Sequence, residues 1–273
     1  MTPVAMVTGA SRGIGKATAM ALAGAGYDVA VTARTVHEGT STDGLPGSLD
    51  ATIAEIEDAT GGRRRTLAVP LDLLDRDALV PSVETVLDHF GRLDVLVNNA
   101  IYVSDDNDRR FLDTPIETFE KRIYADLTAQ VILTQRAARA MVDQADPQGG
   151  TIVNITSGAG RTAPPAPVGE GGWALSYAVA KGGFHRMAGV VAVELGDRGV
   201  RCVNVQPGFV ATERTRMRDD LTWIARRGKP PSVVGAVVAW ILDQPDEVVR
   251  NGGTVEVDDV ARTLGLFPTP ADG

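Results

Sequence analysis

The sequence contains little of what marks a metal centre, a disulfide scaffold or a membrane protein. Among its 273 residues are one cysteine, Cys202, and three histidines, which are His37, His89 and His185. A single cysteine excludes an internal disulfide and predicts a buried apolar residue, and these four side chains suggest no zinc-like cluster, so we expect no metal. No apolar segment is long enough to span a bilayer, and no basic stretch precedes an apolar one at the amino terminus. We therefore expect a soluble, cytoplasmic protein.

Excess basic charge and abundant aromatic residues, which nucleic-acid-binding proteins use, are also missing. Lysine and arginine number 27 against 35 acidic residues, which gives a net charge of −8, and aromatic residues make up 5%. This balance argues against a nucleic-acid or anionic-membrane surface, although local basic groups can still bind one phosphate. With 44% hydrophobic and 23% charged residues, the chain has enough apolar material for one large α/β domain or two small ones.

Apolar, strand-like runs alternate with helical patterns along most of the chain. The runs fall at residues 3–8, 29–33, 66–69, 93–97, 151–156, 200–205 and 253–257. Strands that alternate with helices predict a parallel, doubly wound sheet with right-handed crossovers, here of about seven strands. Because no linker divides this pattern, we expect a single domain.

A glycine-rich turn follows the first run and precedes an alanine-rich helix. It carries Gly9, Gly13 and Gly15. Glycines let the backbone approach a diphosphate, which the amides at the start of the helix attract. Their Gly-x-x-x-Gly-x-Gly spacing differs from the Gly-x-Gly-x-x-Gly dinucleotide fingerprint. The position at the first strand-to-helix turn nevertheless favours phosphate binding over a purely structural turn.

The end of the second strand carries no acid. NAD-dependent enzymes usually place a carboxylate there for the ribose hydroxyls, whereas this chain has Ala33 followed by Arg34. Arg34, together with Arg12 in the glycine turn, is suited to pair with a 2′-phosphate, which favours NADP over NAD. A solvated Arg34 is the alternative. The polar loop at residues 35–48 is placed to cover the adenosine end.

Polar residues also follow the third and fourth strands. Asp72 is placed to contact the adenine, or else it caps the next helix. Asn98, Asn99 and Ala100 follow the fourth strand, where side-chain amides either satisfy backbone groups or line a ligand crevice. Both positions lie at the edge of the sheet where ligands of such folds bind.

Two side chains with acid–base chemistry lie four residues apart in a helical pattern. Tyr177 and Lys181 share one helix face, so the ammonium can lower the tyrosine pKa and make the phenol a proton donor and acceptor. A surface tyrosine and a solvated lysine are the alternative. The glycine turn, and Ser157 at the end of the fifth strand, argue against that alternative because each falls where the chemistry needs it.

Three segments are expected to form substrate loops, at residues 101–114, 158–172 and 212–230. The second is rich in proline and glycine, which predicts irregular backbone beside the catalytic groups. In the third, a charged stretch either closes over substrate or forms a solvated helix. Between the first two, a capping-box pattern at Thr114 predicts a long helix that carries Asp126 and continues to about residue 141.

In their chain order, these motifs resemble the short-chain dehydrogenase/reductase family, in its short single-domain branch. The resemblance rests on Thr8-Gly9-x-x-x-Gly13-x-Gly15, Asn98-Asn99-Ala100, Ser157 with Tyr177-x-x-x-Lys181, and Pro207-Gly208 with Thr212. It implies a three-layer, Rossmann-type NAD(P)-binding domain over residues 1–273. The residues expected to bind the cofactor are Gly9, Ser11, Arg12, Gly13, Ile14, Gly15, Arg34, Asp72, Asn99, Tyr177, Lys181, Pro207, Gly208, Val210 and Thr212.

The family's chemistry is hydride transfer between the nicotinamide and a carbonyl or alcohol carbon. The resemblance implies that Tyr177 exchanges the hydroxyl proton, Ser157 donates a hydrogen bond to the substrate oxygen, and Lys181 lowers the tyrosine pKa and holds the ribose. The leading prediction is an NADP(H)-dependent carbonyl reductase or alcohol dehydrogenase for a small molecule, and family members commonly form dimers or tetramers. The alternatives are a cofactor-binding regulatory or scaffold protein with little turnover, and a sugar-nucleotide epimerase or dehydratase, for which the chain is too short.

Three positions depart from the family pattern. Asp126 takes the place of the usual asparagine of the proton relay, and we expect a working relay with altered pH dependence. Ile101 replaces a glycine and should narrow the crevice, and a long interval before Tyr177 predicts a distinctive substrate loop. The loop at residues 35–48 and the segment at residues 253–266 also resemble hydroxysteroid-dehydrogenase-like members.

Overall fold

The computed structural model describes residues 1–104, 109–145 and 147–267. Within these residues lies a sheet of seven strands: β1 (Val4–Thr8), β2 (Asp28–Ala33), β3 (Thr66–Pro70), β4 (Val95–Asn98), β5 (Gly150–Ile155), β6 (Val200–Gln206) and β7 (Thr254–Glu256). Their order is β3-β2-β1-β4-β5-β6-β7, and every pairing is parallel. The predicted doubly wound, Rossmann-type sheet is confirmed.

Helices cover both faces of this sheet, which is why its central strands are apolar along their full length. The helices are α1 (Gly13–Gly24), α2 (Leu49–Thr60), α3 (Arg76–Phe90), α4 (Ile116–Ile123), α5 (Ala129–Asp143), α6 (Leu175–Leu195), α7 (Glu213–Met217), α8 (Thr222–Arg227), α9 (Pro231–Leu242) and α10 (Val257–Thr263). Contacts group α1, α2 and α9 on one face, and α3, α5 and α6 on the other. Each group packs on its own apolar core, so the domain has three layers.

Side-chain caps mark the start of α2 and of α3. Ser48 Oγ accepts the Ala51 amide at 3.1 Å and begins α2. Asp75 caps α3, whereas Asp72 accepts the Leu74 amide at 2.9 Å in the turn before it. The cap of α3 is therefore not Asp72, which leaves that carboxylate at the edge of the sheet.

The long helix predicted from Thr114 is interrupted. It consists of α4, one π-helical turn (Tyr124–Thr128) and α5. The capping-box prediction is wrong, because the Thr114 hydroxyl donates to the Arg110 carbonyl at 2.9 Å and Pro115 begins α4 without a side-chain bond. π-Helical turns are rare and occur frequently at functional sites, and this one holds Asp126.

The three predicted substrate loops differ in regularity. In the first, residues 105–108 lie outside the described residues, and a 3₁₀ turn forms at Phe111–Asp113. An ion pair of 2.6 Å from Arg110 Nη2 to Glu170 Oε1 joins it to the second loop. The third is largely helical, since it contains α7 and α8.

Residues 268–273 of the predicted domain also lie outside the described residues. Within the described residues, no helix is both long and apolar enough to cross a membrane.

Candidate active site

A cleft opens at the carboxyl ends of the central strands. β1 lies between β2 and β4, so the strand order reverses there, and ligands of such sheets bind outside this point. The residues predicted for cofactor binding that line the cleft are Gly9, Ser11, Arg12, Gly13, Ile14, Arg34, Asp72, Asn99, Tyr177, Lys181, Pro207 and Thr212. Predicted site residues outside this lining are Gly15, Asp126, Ser157, Gly208 and Val210. Ile101, which was expected from the sequence to narrow the crevice, belongs to the lining.

The glycine turn fits a diphosphate. Gly9 and Gly13 have φ values of 67° and 56°, which favour glycine, and α1 begins at the second of them. Arg12, at the N-cap position of that helix, forms no side-chain cap, and the first turn of the helix holds no carboxylate. The start of the helix is therefore suited to bind an anion at the cleft. Gly15 serves the turn differently: a Cβ there would lie 2.3 Å from the Gly9 carbonyl oxygen.

The Asn-Asn-Ala element braces this turn from the neighbouring strand. Thr8 Oγ1 donates to the Val97 carbonyl at 3.1 Å and accepts the Asn99 amide at 2.9 Å. Asn99 Nδ2 donates back to the Thr8 carbonyl at 2.8 Å, and Asn98 Nδ2 donates to Asn154 Oδ1 at 3.1 Å. The sequence left open whether these amides satisfy backbone groups or line a crevice. Asn99 does both, because it bonds the Thr8 backbone and also lines the cleft.

The loop at residues 35–48 folds onto Arg12 at the end of the cleft where the sequence predicts the adenosine (the adenosine end). The guanidinium donates to the carbonyls of Pro46 at 2.8 Å and Gly47 at 3.1 Å, and it pairs with Asp43 at 3.2 Å. Arg12 is therefore held by the loop, and its pairing with a 2′-phosphate alongside Arg34 stays a prediction. The loop also brings the Asp43 carboxylate into the lining, beside Arg34.

At the other end of the cleft, the three predicted catalytic groups meet where β5 ends. Tyr177 and Lys181 lie one turn apart on α6, and Lys181 Nζ donates to the Ile155 carbonyl at 2.9 Å. Ser157 lies close enough to Tyr177 for its hydroxyl to act on the tyrosine pKa. Gly160 permits the close approach of α6, because a Cβ there would lie 2.6 Å from the Lys181 carbonyl oxygen. The structure thus brings Ser157, Tyr177 and Lys181 together.

Burial and charge set the proton affinities of these groups. Burial raises the pKa of Tyr177, while the Ser157 hydrogen bond and the charges of Arg122 and Arg214 act to lower it. Burial lowers the pKa of Lys181 to about 8, and the Asp126 carboxylate acts to raise it, so Lys181 still carries its proton at neutral pH. Arg122 and Arg214 also act to lower the tyrosine pKa, and the role that the sequence analysis assigned to Lys181 stays a prediction.

Asp126 is buried in the π-helical turn with both oxygens engaged. Oδ1 accepts the backbone amide of Tyr102 at 2.6 Å, and Oδ2 lies 3.1 Å from Arg122 Nε. Burial raises the pKa of Asp126, and the charges of Arg122 and Lys181 oppose that rise. The sequence analysis missed Arg122. Its signal is the four-residue spacing to Asp126, which on most helices marks an exposed pair.

Lys229 fixes the loop that the sequence placed at the nicotinamide. Its Nζ donates to the Pro207 carbonyl at 2.6 Å and lies 2.7 Å from Asp258 Oδ1. Gly208, with a φ of 65°, and the buried Val210 shape this loop. No local sequence pattern marks Lys229, which lies 22 residues from Pro207 along the chain.

Cys202, predicted to be a buried apolar residue, is fully buried in β6. Burial raises the pKa of its thiol to about 12, so it stays neutral and unreactive.

The chain matches the family described as short chain dehydrogenase over residues 3–221. It is 36% identical over 260 residues to a 3-oxoacyl-[acyl-carrier-protein] reductase of Synechocystis sp., an alignment that covers 93% of this chain and 95% of the relative. It is 33% identical over 265 residues to an L-rhamnose 1-dehydrogenase (NAD(P)(+)) of Sphingomonas sp., with 93% of each chain covered. A solved 3-oxoacyl-[acyl-carrier protein] reductase from Brucella melitensis, in complex with NAD, has a TM-score of 0.76 at 26% identity, covering 94% of this chain and 96% of that one.

The chain therefore belongs to the short-chain dehydrogenase/reductase family. It is an NAD(P)-dependent oxidoreductase that acts on CH–OH or C=O groups. This result favours the enzyme over the regulatory or scaffold protein that the sequence left open.

Proposed function

We propose that the protein is an NADP(H)-dependent carbonyl reductase or alcohol dehydrogenase for a small molecule, with Tyr177 as general acid and base. One observation carries the proposal: Tyr177 lines the same cleft as the glycine turn and Lys181. A proton-transferring group and an anion site at opposite ends of one cleft suit a dinucleotide with its reactive ring next to the substrate.

Each catalytic group has a distinct role in this proposal. When bound, the nicotinamide supplies or accepts the hydride. Ser157 donates a hydrogen bond to the substrate oxygen as charge develops there, and Tyr177 gives that oxygen its proton or takes it away. Lys181 carries the buried positive charge that stabilises the phenolate. Asp126 keeps Lys181 protonated and serves as the relay group behind it.

The proposed preference for NADP(H) rests on the end of β2. Ala33 and Arg34 both line the cleft there, so a 2′-phosphate meets a cation at the position where NAD-dependent enzymes place an acid. The loop at residues 35–48 already holds the Arg12 guanidinium, so Arg12 adds little to phosphate binding. The negative charge of Asp43 repels the phosphate. The L-rhamnose 1-dehydrogenase relative bears a name that includes both cofactors, and the Brucella structure holds NAD. Arg34 is therefore the residue on which the preference depends.

Association of the chain with itself is part of the proposal. Val179, Val190 and Val193 lie exposed along α6, the last with 86% of its surface accessible. Apolar side chains in such a row favour a dimer or tetramer through this helix. The resemblance to hydroxysteroid-dehydrogenase-like members and the cytoplasmic location stay predictions of the sequence.

A substrate panel tests the proposed function. Purified protein is assayed by NADPH absorbance with 3-oxoacyl thioesters, acetoin-type hydroxyketones and simple ketones, and in the reverse direction with sugars and alcohols, each also with the NAD pair. We expect turnover on one class, faster with NADPH, and its loss in Tyr177→Phe. Cofactor binding without turnover across the whole panel would contradict the proposal.

A further inference from the structure

Arg122 lies against the ring of the proposed acid–base residue, although no sequence motif marks it. It occupies the last turn of α4 with 3% of its side chain exposed, and its guanidinium carbon lies 4.9 Å from the centre of the Tyr177 ring. Its Nε is 3.1 Å from Asp126 Oδ2, whose side chain is fully buried. Inside the protein, a cation thus lies over a phenol ring and beside a carboxylate.

Fold stability gives no reason for this arrangement. Buried ion pairs recover little more than the cost of removing both charges from water, and apolar residues of similar size often serve stability as well or better. The cost is larger here because Arg122 Nη1 is buried without a hydrogen-bond partner among the described residues. Stability alone therefore does not account for this pair, whereas its contact with the Tyr177 ring gives it a functional role.

We propose that Arg122 is a positioning residue that, paired with Asp126, holds a buried positive charge against the Tyr177 ring and sets the pH at which Tyr177 and Lys181 exchange protons. The proposal rests on the function proposed above for Tyr177. Arg122 acts through these two residues, since it lies outside the lining of the cleft.

The charged groups around Tyr177 come from three elements. Lys181 lies on its own helix, Arg122 and Asp126 lie on the long helix, and Arg214 faces it from α7. Arg122 lowers the pKa of both Tyr177 and Lys181, and Asp126 raises the pKa of both. Whichever of the two groups dominates the observed pH dependence, the loss of Arg122 moves it to higher pH and the loss of Asp126 to lower pH.

The test compares four proteins on the alcohol that the panel identifies. The pH–rate profile of alcohol oxidation is measured for the wild type, Arg122→Met, Asp126→Asn and the double variant. We expect Arg122→Met to move the profile upward by about 1 pH unit and Asp126→Asn to move it downward by a similar amount. The double variant, which loses one charge of each sign, should lie between them.

A second readout does not depend on turnover. The difference in tyrosinate absorbance between each variant and its own Tyr177→Phe partner, measured without cofactor, reports the ionisation of Tyr177 alone. Its midpoint should follow the same order. If Arg122→Met does not fold because Asp126 is left buried and unpaired, the double variant and Asp126→Asn still differ only at residue 122 and carry the same comparison.

Two matched controls complete the design. Lys121→Met removes the neighbouring cation, which pairs with Glu117 on the exposed side of α4, and should leave the profile in place. Arg122→Lys keeps the charge and should stay closer to the wild type than Arg122→Met. Profiles and midpoints that coincide in all variants, with lowered melting temperatures alone, would overturn the proposal. An active wild type that Tyr177→Phe leaves unchanged would instead overturn the proposed function.

Discussion

An arginine paired with an aspartate lies at the adenosine end of the cleft, and a second such pair lies behind the lining at the reaction end, in opposite surroundings. At the adenosine end, Arg12 and Asp43 lie 3.2 Å apart with 18% and 23% of their side chains exposed. At the reaction end, Arg122 and Asp126 lie 3.1 Å apart with 3% and 0% exposed. Water and salt screen the first pair, which tethers a loop but contributes little to stability. The charges of the second pair are hardly screened, so they act more strongly on neighbouring groups.

Two pairs of the same residue types thus have different effects because their dielectric surroundings differ. The exposed pair joins two segments distant in sequence, and under the proposed preference for NADP(H) its aspartate would repel the 2′-phosphate. The buried pair lies on one helix and changes the proton affinity of Tyr177 and Lys181. Substitutions at the reaction end should accordingly change turnover and its pH dependence, and those at the adenosine end should change the choice of cofactor.

Tyr177→Phe should have the largest effect of any substitution in the cleft. The variant keeps the ring against Arg122 but loses the proton that the substrate oxygen exchanges, so kcat should fall by about 10²–10⁴-fold. Affinity for NADPH, measured by fluorescence titration, should stay within a factor of about two, because the proposed diphosphate and phosphate contacts lie at the other end. A fall in cofactor affinity that matches the fall in kcat would contradict the assignment of turnover to one end of the cleft and of cofactor choice to the other.

Asp126→Asn should have a moderate effect that depends on pH. Burial already lowers the pKa of Lys181 to about 8, and Asp126 acts to raise it, so removal of the carboxylate moves that pKa below about 8. Lys181 then loses its proton within the working range. We expect little change in kcat near about pH 6 and a loss of about tenfold near about pH 8.5. Equal ratios of variant to wild-type kcat at both pH values would show that Asp126 does not act on Lys181.

The contrast between the two pairs also explains which features the sequence could predict. The seven strands were predictable because a parallel sheet covered on both faces needs continuous apolar runs, such as the one that became Asp28–Ala33. Ser157, Tyr177 and Lys181 were predictable because local spacing fixes them at a strand end and on one helix face. Those motifs carry their geometry within a few residues.

Features that depend on tertiary partners gave no such signal. The π-helical turn has an ordinary helical sequence, and the buried position of Arg122 depends on the packing of α4 against α6. Thr114 has the composition of a cap, but its hydroxyl instead bonds carbonyls of the preceding loop. Lys229 reaches Pro207 from a segment 22 residues away. Packing, rather than propensity, decides each of these cases.

Arg34→Ala should have a smaller effect than the changes at the reaction end, and one confined to cofactor choice. The loss of a charge-assisted hydrogen bond to a phosphate costs about 1.5–3 kcal/mol, which predicts a fall in NADPH affinity of about 10- to 100-fold. NADH affinity should hardly change, since that cofactor has no 2′-phosphate. The two dissociation constants are measured in parallel by fluorescence. An equal loss for both cofactors would show that Arg34 supports the fold of the cleft instead of reading the phosphate.

Asp43→Asn should have the smallest effect, and in the opposite direction. The carboxylate lies beside Arg34 in the cleft lining and pairs with Arg12. Against the effect of burial, the hydrogen bond from Ser41 and the charges of these cations hold its pKa below the usual range. Its removal abolishes a repulsion against the 2′-phosphate and leaves both guanidinium groups more available. Because the pair is partly exposed, the gain should not exceed about 1 kcal/mol, or about fivefold in NADPH affinity. The gain should shrink as salt is raised, because screening weakens the repulsion in the wild type. An equal gain for NADH, or one that salt leaves unchanged, would mean that Asp43 acts through the conformation of the loop, and the two ends of the cleft would then differ less in kind than their exposure suggests.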